Sequence, residues 1–160
     1  MVRRERSTTW LHTHREHVVK QIFLTSAPTV YSHSWSLSLK MNNNSSNVWI
    51  VILAWNGKKW LDACLQSLAQ CRRDMAYKIL IVDNGSTDDS ADFVRENHPE
   101  VTLIQTGKNL GFAGGNNIGI AHALQNNADY ILLLNQDTVV FGAWMDHLIE
   151  FADASPHLGI

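Results

Sequence analysis

The chain has 160 residues, 45% of them hydrophobic and 18% charged, and a formal net charge of −2, which suits one compact globular domain with a real core. The charge is uneven: residues 1–40 carry six basic and two acidic side chains, residues 41–160 seven and thirteen. An acidic main body makes a poor general nucleic-acid binder, because phosphates demand lysine and arginine, although a small anion can still bind through a metal ion or oriented backbone amides.

In chain order, residues 1–47 come first and differ from the rest. They are rich in Ser, Thr, His and Arg and hold four of the eight histidines: His12, His14, His17 and His33. A transit peptide and a metal cluster on His12-x-His14-x-x-His17 are two readings, but no Cys or carboxylate set accompanies the histidines. The composition favours a disordered or non-native extension. Residues 1–40 are expected not to pack on the domain, with the polar stretch at Met41 as a natural start. The domain itself is expected over 48–160.

From Val48 the pattern is regular. Val48 to Trp55 reads as a strand closed by Asn56-Gly57, and at eight residues it is far below the roughly 20 that span a bilayer. Trp60, Leu61, Cys64, Leu65 and Leu68 then recur at helical spacing. Cys64 and Cys71 lie two turns apart in that helix, too far to bridge, so a reducing compartment is the default. Lys78 to Val82 is a second unbroken apolar run, ending in Asp83-Asn84-Gly85. Ser86 or Thr87 is expected to cap the next helix, which stops near His98-Pro99. Val101–Ile104 is a short strand, and a Gly/Asn-rich stretch leads into a helix marked by Ile118, Ala121 and Leu124. The strand at 130–134 runs into Asn135-Gln136-Asp137, and a last helix is predicted over about 143–153.

Strands alternating with helices, the strands apolar without alternation, predict an α/β fold: a mostly parallel sheet with helices on both faces. Such sheets bind ligands beyond the carboxyl ends of their strands. Asp83 and Asp137 sit at two such ends, expected to be neighbours. Asp83 offers an acceptor for the N–H of a pyrimidine base or a ribose hydroxyl. Asn135 and Asp137, two apart on a strand end, are expected to point the same way and hold one hard divalent ion with phosphate oxygens. Between them, Gly107 to Gly119 holds five of the nine glycines and can present amides to a phosphate. It lacks the dinucleotide and P-loop spacings, which disfavours an NAD-dependent oxidoreductase.

Four strings together resemble the N-terminal half of a family 2 glycosyltransferase. They are Ala54-Trp55-Asn56-Gly57, Ile81 to Asp88, Asn109 to Gly119, and Leu133 to Thr138. The third looks most like the rhamnosyltransferase branch, which builds bacterial surface polysaccharides. The resemblance implies an A-type nucleotide-sugar fold, here truncated, and transfer of a sugar from a nucleoside diphosphate sugar to an acceptor hydroxyl with inversion. It implies a divalent cation, Mg²⁺ or Mn²⁺, held by Asp137 with Asn135, where the family's metal motif more often begins with Asp. Asp83 matches the carboxylate that contacts the base. Asn56, Gly57, Asn84 and Asn135 fall at further donor-binding positions. So do Gly111, Phe112, Gly114, Gly115 and Asn116.

The resemblance also implies a glycan or lipid-linked acceptor, no nucleic acid, and a cytoplasmic location, with the full-length parent at the inner face of the plasma membrane. The family's general base is expected beyond residue 160. The alternative is therefore a non-catalytic nucleotide-binding fragment without the acceptor half.

Overall fold

The computed structural model describes residues 20–23, 46–71 and 76–154, and nine elements follow one another along them. They are β1 (Lys20–Phe23), β2 (Val48–Ala54), α1 (Lys58–Gln70), β3 (Tyr77–Asp83), α2 (Ser90–Asn97), β4 (Thr102–Gln105), α3 (Gly111–Gln125), β5 (Tyr130–Asn135) and α4 (Trp144–Ala154). The strands form one sheet in the order β1-β5-β2-β3-β4, and every pairing is parallel. This is the α/β architecture that the unbroken apolar runs predict.

Two cores flank the sheet, and the strand period of two assigns residues to them. On one face Val48, Ile50, Ile52 and Ala54 of β2 pack with Leu61, Leu65 and Leu68 of α1, Val94 of α2, and Met145 and Ile149 of α4. On the other, Trp49 and Val51 join Leu80, Val82, Ile131, Leu133 and Ala123 of α3. Burial of β2 on both faces is why its sequence shows no alternation.

α3 departs from its expected pattern. It begins at Gly111, so the glycine stretch is helix rather than a loop before one. Ala121 and Leu124 are exposed; the buried positions are Gly115, Asn116, Gly119 and Ala123. A Cβ on Gly115 would stand 2.2 Å from Leu53 Cδ1, and one on Gly119 2.3 Å from Val51 Cγ1. The helix backbone thus lies directly on the side chains of β2, and its packing face is marked by missing side chains.

The N-terminal stretch also needs a correction. Lys20–Phe23 pairs with Tyr130–Leu133 of β5, so these four residues join the sheet rather than standing apart. An open strand edge presents a row of unpaired N–H and C=O groups, which an extended segment can satisfy through its backbone alone. The same pairing covers the outer edge of β5. The rest of residues 1–45, with the His12, His14 and His17 cluster, lies outside the described residues. Cys64 and Cys71 are both free. Among the described residues no helix is long and apolar enough to cross a membrane.

Candidate functional site

Because the strands are parallel, the ends of β2, β3, β4 and β5 share one rim. Asp83, the last residue of β3, is 3% exposed. Its Oδ1 accepts the Ser86 N–H at 3.3 Å, and no other described residue donates to the carboxylate. Asn84 N–H donates to Ala54 O at 2.7 Å, tying the β3 tip to β2. Gly85 then turns the chain at φ +75°, where a Cβ would lie 2.7 Å from Lys108 Cα. Only glycine combines that conformation with so close an approach.

The Asn84 side chain is committed within the fold. Its Oδ1 accepts Leu110 N–H at 2.9 Å, and its Nδ2 donates to Asn109 Oδ1 at 3.1 Å and Gly111 O at 3.3 Å. Asn109 Oδ1 also accepts Gly111 N–H at 2.8 Å. Asn84 therefore holds the start of α3 against the β3 tip.

The turn from β2 into α1 is filled from outside. Trp55 N–H donates to Gln136 Oε1 at 3.0 Å, and Asn56 N–H to Ser86 Oγ at 2.9 Å. Gly57 N–H donates to Ser90 Oγ at 3.1 Å, and Lys58 N–H to Asp88 Oδ2 at 3.0 Å. Asn56 Oδ1 in turn accepts Thr87 N–H at 2.8 Å. Ser86 and Thr87 thus do not cap the following helix. α2 starts at Ser90, its N-cap Asp89 adopts φ 61°, and that residue makes no capping hydrogen bond. The polar side chains that read as a cap close the turn 30 residues earlier. Partial burial raises the Asp88 carboxyl, but hydrogen bonds from the Ser90 hydroxyl and from Lys58 and Ser90 N–H outweigh that and hold it below its usual range.

At the β5 tip, Asn135 ends the strand, and Thr138 N–H donates to Asn135 O at 3.1 Å. Asp137 lies in the resulting turn, so the strand period does not set its direction, as the sequence reading had it. Both side chains are exposed, and neither makes a hydrogen bond or ion pair among the described residues. Burial, and then the Asp137 charge, push the neighbouring Cys64 thiol up to about 12, so Cys64 stays neutral. Among the described residues no three His, Cys, Asp or Glu side chains are grouped so that they could hold a metal ion by themselves. One free carboxylate and one amide oxygen fit a hard divalent ion that takes its other ligands from water and phosphate.

The register corrects one expectation. Ala54 pairs with Asp83 and Leu53 with Asn135, so β2 stands between the two tips rather than their being neighbours. Two inter-strand steps separate them by roughly 10 Å. Phe112 is 61% exposed at the start of α3, beside exposed Gly111. Gly114 is half-buried, while Gly115 and Asn116 face the sheet, Asn116 Nδ2 donating to Phe112 O at 2.9 Å. The rim thus gathers Asn56, Asp83, Asn135, Asp137 and the first residues of α3, and turns Gly115 and Asn116 inward. Sequence reasoning passed over Gln136, whose amide bonds a backbone far along the chain and leaves no local pattern.

The family described as "Glycosyl transferase family 2" matches residues 49–160. This chain belongs to it. Among curated relatives of this family 2 chain, the dTDP-rhamnosyl transferase RfbF of Shigella flexneri is 28% identical over 110 residues, 68% of this chain and 36% of the relative. An N-acetylglucosaminyl-diphospho-decaprenol L-rhamnosyltransferase of Mycobacterium tuberculosis is 27% identical over 118 residues, 69% of this chain and 38% of the relative. The chain therefore spans little more than a third of these relatives. Among solved structures, S. aureus TarS 1-349 in complex with UDP shares the fold at a TM-score of 0.59 and 19% identity, covering 69% of this chain and 33% of TarS. The mannosyltransferase PcManGT from Pyrobaculum calidifontis, in complex with GDP-Man and Mn2+, does so at 0.53 and 19%, covering 63% and 30%. The family 2 chain thus has the A-type glycosyltransferase fold.

Proposed function

We propose that residues 48–154 form the donor-binding half of a glycosyltransferase that moves a sugar, rhamnose or another hexose, from a nucleoside diphosphate to an acceptor hydroxyl with inversion. A glycan or lipid-linked acceptor in bacterial surface polysaccharide synthesis fits the rhamnosyltransferase relatives. The observation that carries the reading is the spacing of acidic groups on one rim: buried Asp83 on one flank of β2, free Asp137 with Asn135 on the other. A nucleoside diphosphate laid across the β2 tip puts its base at Asp83 and its phosphates at Asp137.

Each residue then has a task. Asp83 accepts a base N–H or a ribose hydroxyl, and exposed Trp55 offers a face for stacking. Asn135 and Asp137 would hold Mg²⁺ or Mn²⁺. A bound divalent ion would offset the charge on the departing diphosphate. The first amides of α3, at Phe112 and Ala113, favour phosphate through their N–H groups and the helix dipole. A general base for the acceptor is not assigned among the rim carboxylates.

Calorimetry with UDP, dTDP and GDP, with and without Mn²⁺, tests the reading. Wild type should bind one diphosphate more tightly with the metal. Asp137→Ala should abolish that gain. Asp83→Ala should weaken nucleotide about 10- to 100-fold, the worth of a hydrogen bond to a charged group, and keep the metal dependence. Equal binding by all three proteins would sink the assignment.

A further inference from the structure

The β2–β5 backbone ladder ends at Leu53 and Asn135, and beyond it the β5 chain turns away. One side chain continues the connection. Gln136 Oε1 accepts Trp55 N–H at 3.0 Å and its Nε2 donates to Trp55 O at 3.3 Å. The primary amide thus engages both backbone groups of one residue, as two facing residues do in a hydrogen-bonded strand pair. Room for it exists because residue 57 is glycine: a Cβ there would sit 2.0 Å from Gln136 Oε1 and 2.5 Å from its Cδ. Gly57 has φ −109°, a conformation open to any residue, so space rather than backbone freedom calls for glycine.

Gln136 lies between Asn135 and Asp137, whose own side chains are free. Among the described residues, no other side-chain hydrogen bond ties this turn to the β2 tip. We propose that Gln136 is a positioning residue. By locking the β5 tip to the β2–α1 turn, it fixes where Asn135 and Asp137 present their oxygens to a divalent ion on the donor diphosphate. Gly57 serves the same clamp by leaving it space. The inference rests on the donor-site reading above and adds two residues whose task is to aim the ligands. It touches neither nucleotide nor metal itself, so its loss should be felt in the metal-dependent part of binding alone.

The test is a double-mutant cycle on the full 160-residue chain, with Gln136→Ala, Gly57→Ala and the pair. The probes are Mn²⁺ and whichever of UDP, dTDP and GDP the wild type binds most tightly. Three readouts are followed: affinity in EDTA, affinity with Mn²⁺, and hydrogen exchange at the Trp55 amide. Gln136→Ala should keep the EDTA affinity, lose about 10- to 100-fold of the Mn²⁺-dependent affinity, the range for residues that orient metal ligands, and unprotect the Trp55 amide. Gly57→Ala should lose the same Mn²⁺-dependent part and unprotect the same amide with Gln136 present, and add nothing to either loss when Gln136 is already alanine. A Gln136→Ala protein with an undiminished Mn²⁺ response, or losses that simply add in the pair, would overturn the inference alone. A wild type that gains nothing from Mn²⁺ would overturn the donor-site reading and this inference with it.

Discussion

Two helices start on the same rim, and their ends are built in opposite ways. At α1, four successive N–H groups, from Trp55 to Lys58, are each taken by a side chain from the turn after β5 or from the Ser86–Ser90 segment. At α3, Asn84 and Asn109 hold Leu110 and Gly111, but no described side chain caps Phe112 or Ala113. The first end is closed by the protein at every N–H from Trp55 to Leu61 except that of Lys59. The second is held firmly one residue before the point where its free donors begin. A helix start on a ligand-binding edge can therefore be scaffold or site, and the partners of its amides decide which.

The largest effect should come from moving the open end. α3 owes its position to Gly115 and Gly119, which face Leu53 and Val51. Val51 is 0% exposed and β-branched, so it cannot swing aside; Leu53 is half-buried and meets Gly115 with the end of a flexible side chain. Gly119→Ala should cost about 2–3 kcal/mol by overpacking, and Gly115→Ala about 1. Urea unfolding of both variants measures the order. A Gly119→Ala protein as stable as wild type would mean that α3 does not depend on this contact, and the contrast between the two helix ends would lose its structural basis.

The same contrast divides what the sequence reveals from what it hides. β2, β3 and β5 were legible because burial on both faces demands unbroken apolar runs, and Asp83 and Asp137 stood out as carboxylates ending two of them. The start of α3 was not legible, because its buried face is written in glycine and asparagine and carries no hydrophobic period. Ser86 and Thr87 misled because a polar side chain before a helix ordinarily caps that helix, while here its partner lies 30 residues away. The pairing of β1 was equally hidden, since strand addition at an edge is a backbone interaction. Local propensity shows through wherever a residue's partners are near in sequence, and fails where the site is stitched across elements.

A medium effect is expected at the closed end. Asp88 accepts Lys58 N–H at 3.0 Å and Ser90 N–H at 3.1 Å, as well as the Ser90 hydroxyl. Asp88→Asn should cost about 1 kcal/mol, the usual worth of a cap. Because the folded carboxyl titrates below its unfolded value of 3.8, this stabilisation is complete above about pH 4 and is lost as pH falls through the folded pKa. The gap between wild type and Asp88→Asn, followed by unfolding from pH 7 downward, should hold steady and then close in acid. Nucleotide affinity at pH 7 should not change, since these amides face the protein. A variant that binds nucleotide more weakly at full stability would place the closed end in the site.

The smallest change in stability should accompany a change in binding. Asn109 is exposed, and its side-chain oxygen accepts from Gly111 N–H and Asn84 Nδ2. Asn109→Ala removes both bonds, but Asn84 Nδ2 keeps Gly111 O as an acceptor and the Gly111 N–H is exposed, so the loss should stay below about 1 kcal/mol. It also frees the residues directly before Phe112 and Ala113, whose donors must be ordered to meet a phosphate. If the open end belongs to the donor site, affinity for the diphosphate should fall several-fold while the midpoint of unfolding barely moves, the reverse of Asp88→Asn. The two variants thus exchange stability for affinity in opposite senses at two helix starts on one rim. Calorimetry and urea unfolding on the same preparations decide it. A loss of stability without a loss of affinity at Asn109 would make α3 scaffold like α1 and leave the phosphate to Asn135, Asp137 and their metal.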